Sequence, residues 1–150
     1  MITAMQVAAY FLSKVDDELG EGITNLKMQK LVYYAQAYHL AIFGIPLFGE
    51  EIQAWQHGPV VPDLYRKFKR FNSGPIDADD YLPTINQGLS EDVREFLDEV
   101  YEQFAQFSAW RLADMTHTED PWKEAISTRD HVISHDSMRN FYKAFITVEA

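Results

Sequence analysis

Residues 24–46, TNLKMQKLVYYAQAYHLAIFGIP, decide the fold because they predict one long helix with large apolar side chains on more than one side. Thr24 or Asn25 is suited to cap its start, and Gly44 followed by Pro46 predicts its end. Apolar residues recur at helical spacing along it: Met28, Leu31, Val32, Ala35, Tyr38 and Ile42.

Four ring side chains crowd the same helix: Tyr33, Tyr34, Tyr38 and His39. Successive residues of a helix are about 100° apart, so these four cannot all face one core. Two interpretations remain open. Either the helix is buried on nearly all sides at the centre of the domain, or it presents an aromatic patch on a second surface.

Further helices are predicted on both sides, each from a capping residue and an apolar stripe. The first begins at Thr3 and carries its stripe to Leu19, before Gly20 and Gly22 end it. The others are an amphipathic helix over residues 63–71, a helix after Ser90 carrying Val93 to Phe107, residues 109–115 packing Trp110, residues 121–126, and a last helix carrying Met138 to Phe145.

The predicted fold class is mainly α, a single compact multi-helix domain over residues 1–150. Alternation over residues 52–57 leaves room for one short β-strand pair near residues 45–60. The polar, proline-containing residues 72–88 are interpreted as an excursion from this domain, because the flanking pieces would be marginally stable alone. No separate DNA-binding domain is expected.

Composition excludes several functions. The net charge of −10 disfavours nucleic acid as a partner, since phosphate binding depends on Lys and Arg. The absence of cysteine excludes disulfides, thiol catalysis and thiolate metal sites. The N-terminus lacks a basic region, and the chain has no uninterrupted apolar run of membrane-spanning length. These features predict a cytoplasmic protein without a membrane partner.

The turn-forming stretch Ala54-Trp55-Gln56-His57-Gly58-Pro59-Val60-Val61-Pro62 is the main candidate for function. Gly58 permits backbone angles closed to other residues, and Pro59 and Pro62 fix φ and remove two N–H donors. The stretch holds a Trp and a His but no nucleophile and no phosphate-binding glycine run. It therefore predicts recognition rather than catalysis.

The histidines and acids are candidate catalytic or metal-binding groups. His117, Glu119 and Asp120 lie close together, but Pro121 and Trp122 after them favour a capped turn over an active site. In that turn Thr116, Thr118 or Asp120 would satisfy free N–H groups. A metal pair at His131 and His135, and nucleic-acid binding by the basic run at residues 66–70, are both disfavoured.

Three blocks of the sequence share an order found in one known family. They are Thr24-Asn25-Leu26-Lys27-Met28-Gln29-Lys30-Leu31-Val32-Tyr33-Tyr34-Ala35-Gln36; then Pro46-Leu47-Phe48, Ala54-Trp55, Gly58-Pro59-Val60-Val61-Pro62 and Tyr65; then Thr116-His117, Glu119, Pro121 and Trp122. Together they resemble the Panacea antitoxin family, which includes SocA-like and prophage GepA-type proteins. The resemblance covers nearly the whole chain.

This resemblance implies a small, mostly helical domain that neutralises a toxin by direct binding. It also implies that a cellular protease is a further partner if the protein acts as a phage-associated proteolytic adaptor. Many members carry an added DNA-binding segment, and none is expected in residues 1–150. The resemblance implies no cofactor and no catalytic residue.

The leading hypothesis is a non-enzymatic antitoxin whose partner is a cognate toxin protein. Trp55, His57, Val60 and Tyr65 are predicted to lie at or just beneath the recognition surface. A second set is predicted to support it, namely Gly58, Pro59, Pro62, His117 and Trp122. The alternative is a small metal-dependent hydrolase built from His57, His117, Glu119 and Asp120.

Overall fold

The computed structural model describes residues 1–15, 22–84 and 88–146. Seven α-helices occur in these residues: α1 Ala4–Ser13, α2 Asn25–Phe43, α3 Pro62–Phe68, α4 Glu91–Phe104, α5 Ala109–His117, α6 Asp120–Ile126 and α7 His135–Tyr142. Two antiparallel strands, β1 Gln53–Trp55 and β2 Gly58–Val60, form the small sheet. The described residues also include the 3₁₀ segments Lys69–Phe71, Ala78–Thr84 and Lys143–Phe145. The predicted mainly α class with one short strand pair is confirmed.

Helix α2 lies at the centre of the structure. Thr24 caps its start by accepting a hydrogen bond from the Lys27 N–H at 3.2 Å, and Gly44 ends it in the left-handed region with φ of 76°. Every residue from 28 to 37 is buried, and α1, α3, α4, α5, α7 and β2 all contact the helix. Of the two interpretations of its aromatic residues, burial on nearly all sides is therefore confirmed.

The core is continuous around α2. Buried apolar side chains from all seven helices belong to one cluster. Its largest fully buried members include Phe11, Phe48, Phe68, Leu97 and Leu112. On α4 the stripe predicted from helical spacing is buried at Phe96, Leu97, Val100 and Phe104. Burial of such side chains is the main favourable contribution to the free energy of folding.

Gln36 fixes the path of the chain after α2. Its side-chain oxygen accepts hydrogen bonds from the Leu47 N–H at 2.7 Å and the Phe48 N–H at 3.2 Å, and its Nε2 donates to the Phe48 carbonyl at 2.8 Å. All three residues are buried. The loop that leads into β1 is thus held by one side chain of the central helix.

The segment after α3 packs against the residues that lead into α2 and against α1. The Ile76 N–H donates to the Ile23 carbonyl at 2.9 Å, and Thr24 and Pro75 form an isolated bridge. The 3₁₀ segment Ala78–Thr84 contacts α1. Part of the 72–88 stretch, residues 85–87, lies outside the described residues.

Over the described residues, helix α1 ends earlier than predicted. Helix α1 ends at Ser13, where the Lys14 and Val15 N–H groups close a tight last turn on the Phe11 and Leu12 carbonyls. The predicted continuation at Leu19 and Gly20 lies outside the described residues.

Ile42 was assigned to the apolar stripe of α2 but is 47% exposed. Residues 42–45 are all exposed, so the end of α2 from Ile42 onward and the reversal at Gly44 lie outside the core, although Leu40 and Ala41 before them are buried. Among the described residues, no helix combines the length and apolarity that a bilayer crossing requires.

Replacement of Gln36 by Leu tests the importance of the buried polar contacts of α2. The variant retains the side-chain volume but leaves three buried backbone groups without partners, so we expect the free energy of unfolding to fall by about 2–4 kcal/mol. Urea titration followed by far-UV circular dichroism measures this change. The matched control is Gln103→Leu on the exposed face of α4, for which we expect a change of less than about 0.5 kcal/mol. If the two variants are equally stable, the hydrogen bonds of Gln36 do not make the expected contribution to the free energy of unfolding.

Candidate functional site

The predicted recognition stretch is a β-hairpin. Strand β1 pairs with β2 in the register Gln53 with Val60, Ala54 with Pro59 and Trp55 with Gly58. Gln56 and His57 therefore form the connection between the strands. Gly58 has φ of 112°, a conformation that side chains with a Cβ rarely adopt.

Gly58 is also required by the close approach of α2. A Cβ at this position would lie 2.6 Å from Lys30 Cε and 2.9 Å from Thr116 Oγ1. Both distances are too short for non-bonded atoms. The hairpin can therefore sit on α2 and α5 only because residue 58 has no side chain.

Lys30 joins the central helix to the hairpin. Its Nζ donates a hydrogen bond to the Pro59 carbonyl at 3.1 Å, and the side chain is fully buried. Burial disfavours the charged form and lowers the pKa of Lys30 to about 7. A lysine inside the core thus serves as a hydrogen-bond donor to a backbone carbonyl.

Two further polar residues of α2 hold the chain beyond β2. Gln29 Oε1 accepts from the Val61 N–H at 2.9 Å, while Gln29 Nε2 donates to Asn25 Oδ1 at 2.8 Å. Asn25 Nδ2 in turn donates to the Tyr65 carbonyl at 3.1 Å. The end of β2 and the first turn of α3 are therefore bonded to one face of α2.

Helices α5 and α6 hold the turn of the hairpin from the other side. His117 Nε2 lies 2.9 Å from the Gln56 carbonyl, and Trp122 Nε1 donates to the Trp55 carbonyl at 2.8 Å. Because a carbonyl oxygen only accepts, His117 must carry its proton on Nε2. The two rings also pack together, with centroids 4.3 Å apart. Both side chains therefore bind backbone carbonyls of the turn.

The outer edge of β1 is covered by residues 131–133. The Ala54 N–H donates to the His131 carbonyl at 2.7 Å, and the Ile133 N–H donates to the Ile52 carbonyl at 2.9 Å. The strand is thus bonded on both sides. Such pairing leaves the hairpin little freedom to move as a unit.

A groove with a volume of about 790 Å³ lies beside the hairpin. We call it the hairpin groove. It is bounded by the first turns of α2, by the hairpin, by α3 and the 3₁₀ segment after it, and by the first turn of α5. Trp55, His57, Val60 and Tyr65, the four residues predicted for the recognition surface, all line it.

Aromatic side chains form the walls of the hairpin groove. The Trp55 and Tyr65 rings meet edge to face at 5.0 Å, and the His57 and Trp110 rings do so at 5.1 Å. Trp110 was predicted to pack in the core, but it is 59% exposed. It lies about 200° around α5 from the buried Leu112 and therefore points away from the core.

The Glu119 carboxylate is held by hydrogen bonds from tyrosine hydroxyls. Its Oε1 accepts hydrogen bonds from the Tyr34 hydroxyl at 2.7 Å and the Tyr142 hydroxyl at 2.9 Å, and the Tyr33 and Tyr142 hydroxyls are 2.8 Å apart. Burial raises the pKa of Glu119 above its usual range, against the opposing effect of these hydrogen bonds. The carboxylate connects α6 to α2 and α7.

The structure does not bring the alternative hydrolase residues together as a metal site. Glu119 is bound to the two tyrosines, His117 to the Gln56 carbonyl, and Asp120 lies 3.9 Å from Lys123. Within residues 1–15, 22–84 and 88–146, no three His, Asp or Glu side chains are placed to share a metal ion. His131 and His135 do not share a helix face, because His131 lies in a turn with φ of 59° before α7 begins.

The threonines near this cluster differ from the predicted caps. Thr116 lies inside α5 and donates to the Ala113 carbonyl at 2.7 Å, while Thr118 donates to the Met115 carbonyl at 2.9 Å. Neither accepts an N–H of α6, which begins at Asp120 without a side-chain cap. The hydroxyls are used by α5 because that helix extends to His117.

Sequence reasoning placed none of Asn25, Gln29, Lys30 and Trp110 in the site: Asn25 was considered only as a helix cap, and Trp110 was expected in the core. The signal for the first three was present in the central helix, because a helix buried on all sides can hold amide and ammonium groups only if each has a hydrogen-bond partner. The signal for Trp110 was its position opposite Leu112 on α5.

Comparison with known proteins places this sequence in one family. Residues 28–123 match the family described as Antitoxin SocA-like, Panacea domain. The chain belongs to this family, and the match includes α2 from its second turn, the hairpin and α5. The family supports an antitoxin role and, in general, a toxin as partner.

A curated relative is named Antitoxin SocA, from Caulobacter vibrioides (strain NA1000 / CB15N). It is 31% identical to this chain over 130 residues, which cover 81% of this chain and 69% of the relative. No solved structure matches the protein.

Replacement of Gly58 by Ala tests the close approach between the hairpin and α2. The added Cβ meets Lys30 and Thr116 and forces a strained φ, so we expect the free energy of unfolding to fall by about 2 kcal/mol or more. The control is Gly74→Ala, where the added Cβ would meet only the Phe71 carbonyl oxygen at an ordinary 3.4 Å. Thermal denaturation of both variants measures the difference. A Gly58→Ala protein as stable as the control would contradict the described geometry.

The lowered pKa of Lys30 predicts a specific dependence of the free energy of unfolding on pH. Its pKa is 10.5 in the unfolded chain and about 7 in the folded protein, so the folded state binds fewer protons between these values. Lys30 therefore makes stability rise with pH over this window, by at most about 1.4 kcal/mol per pH unit. Lys30→Met removes this contribution, and its stability relative to wild type should fall steadily from pH 7 to pH 10. Urea titrations at several pH values measure the trend.

The exposed Lys143 provides the control for this experiment. The Lys143→Met variant should follow the wild-type pH profile. If the Lys30→Met profile also runs parallel to wild type, Lys30 does not titrate with a lowered pKa.

Proposed function

We propose that this protein is an antitoxin that neutralises a co-encoded toxin by direct protein–protein binding, without catalysis, at the hairpin groove. Trp55, His57 and Tyr65 lie at the surface that contacts the toxin, and the buried Val60 lies just beneath it. The observation that carries the proposal is a preformed aromatic groove, lined by these four side chains, in a member of an antitoxin family.

The supporting residues act by holding the groove in shape. Gly58 allows the close contact with α2, and Pro59 and Pro62 restrict the backbone on either side of Val60. His117 and Trp122 bind the carbonyls of the turn. Because these groups are already ordered in the free protein, binding loses less conformational entropy.

The aromatic composition of the groove fits a protein partner. Tyr and Trp side chains are enriched among the residues that contribute most to the free energy of protein–protein binding. Trp110 adds a largely exposed indole at the rim. A side chain of this size would lose its contact with water when a partner covers the groove.

The neighbouring reading frame supplies the direct test. Its product should arrest growth when expressed alone, and co-expression of this protein should restore growth and yield a complex that co-purifies. Restored growth with a stable toxin level and a complex supports sequestration. Restored growth with no complex and an unchanged toxin level would refute it, whereas protease-dependent loss of the toxin would indicate an adaptor.

Trp110→Ala provides the sharpest test of the surface, since the side chain is largely exposed and its removal should not disturb the fold. We expect the affinity for the toxin to fall by at least about tenfold. The matched control is Phe145→Ala, because Phe145 is 58% exposed, compared with 59% for Trp110, and does not line the groove. Isothermal titration calorimetry measures both affinities, with circular dichroism to verify folding. If the Trp110→Ala variant and wild type bind the toxin with equal affinity, the toxin does not bind at the hairpin groove.

A further inference from the structure

The charge of the hairpin groove differs from that of the rest of the protein. The chain has 23 Asp and Glu residues against 13 Lys and Arg. Of the described residues that line the groove, none is acidic, and two are lysines, Lys30 and Lys69. Since Lys30 is fully buried, the exposed Lys69 supplies the positive charge of the groove surface on an acidic protein.

Both lysines lack an acidic partner within the part of the chain that the structure describes. Lys69 is exposed at the start of the 3₁₀ segment and forms no ion pair there, whereas its neighbours Arg66 and Arg70 pair with Asp63 and Asp80. Lys30 has the uncharged Pro59 carbonyl as its hydrogen-bond partner. Because Lys30 is fully buried and burial disfavours its charged form, a negatively charged ligand group would meet one unpaired cation in the groove, the exposed Lys69.

The same groove carries the aromatic walls. Trp55 and Tyr65 lie on the hairpin and α3, and Trp110 lies at the rim on α5. An occupant that fits both features needs a bulky apolar side chain for the aromatic walls and a carboxylate for Lys69. An extended nucleic-acid backbone fits poorly, because two lysines on a chain of net charge −10 supply few phosphate contacts.

We infer that the hairpin groove binds an acidic segment of the toxin in which an Asp or Glu side chain lies next to a large apolar or aromatic residue. The carboxylate contacts Lys69 at the mouth of the groove, and the apolar side chain packs against Trp55, Tyr65 and Trp110. This inference rests on the proposed function for the identity of the partner, while its chemistry can be tested without the toxin.

The first experiment uses two small probes that share an indole ring and differ in charge: indole-3-acetate, an anion, and tryptamine, a cation. The chain has three tryptophans, and their side-chain N–H signals in NMR spectra report the site, since Trp55 and Trp110 line the groove and Trp122 does not. We expect indole-3-acetate to shift the Trp55 and Trp110 signals and to bind at least about threefold more tightly than tryptamine.

Charge reversal at Lys69 should reverse this preference. In Lys69→Glu we expect tryptamine to bind more tightly than indole-3-acetate, while Lys143→Glu, at an exposed lysine outside the groove, keeps the wild-type order. Equal binding of the two probes to the wild-type protein, an unchanged order in Lys69→Glu, or shifts that avoid both groove tryptophans would overturn the inference.

The second experiment uses the toxin itself. Lys69→Glu should weaken the complex by about tenfold and Lys143→Glu should not, and the wild-type affinity should fall with increasing NaCl. If the toxin binds Lys69→Glu as tightly as wild type, the inferred acidic segment is wrong and the antitoxin proposal stands. If the wild-type protein binds indole-3-acetate more tightly than tryptamine but does not bind the toxin, the proposed function is wrong and the inferred chemistry of the groove stands.

Discussion

The burial of α2 on nearly all sides is the constraint on which the rest of the structure depends. A helix in this position must place its polar side chains against neighbouring segments, since an unpaired buried polar group destabilises the fold. Gln36 holds the loop before β1, Lys30 holds β2, and Gln29 holds the chain entering α3. The order of these contacts along α2 determines where the surrounding segments lie.

The hairpin shows how this constraint produces a binding surface. It approaches α2 so closely that residue 58 must be glycine, and its turn carbonyls are bonded to His117 and Trp122. Strand pairs of three residues are not stable by themselves. Here the hairpin is rigid because helices bond to it from two sides, and this rigidity suits a groove that acts by recognition.

Much of the fold followed from local patterns. Thr24 and Gly44 mark the ends of α2, and Ser90 and Ser108 cap α4 and α5, because capping and helical periodicity depend on neighbouring residues alone. The candidate site was only partly predictable. Side chains from α2, the hairpin, α3 and α5 meet there, and no local pattern specifies which residues of separate elements become neighbours.

The sequence by itself determined the mainly α class, the long helix α2, the stiffness of the turn at residues 55–62 and the resemblance to an antitoxin family. Only the tertiary structure decided that Glu119 serves the tyrosine cluster, that Trp110 lies at the rim of a groove, and that Lys30 is buried beneath the hairpin. The physical reason is that periodicity reports which face of a helix is apolar. The partner of a buried polar group depends on how separate elements pack.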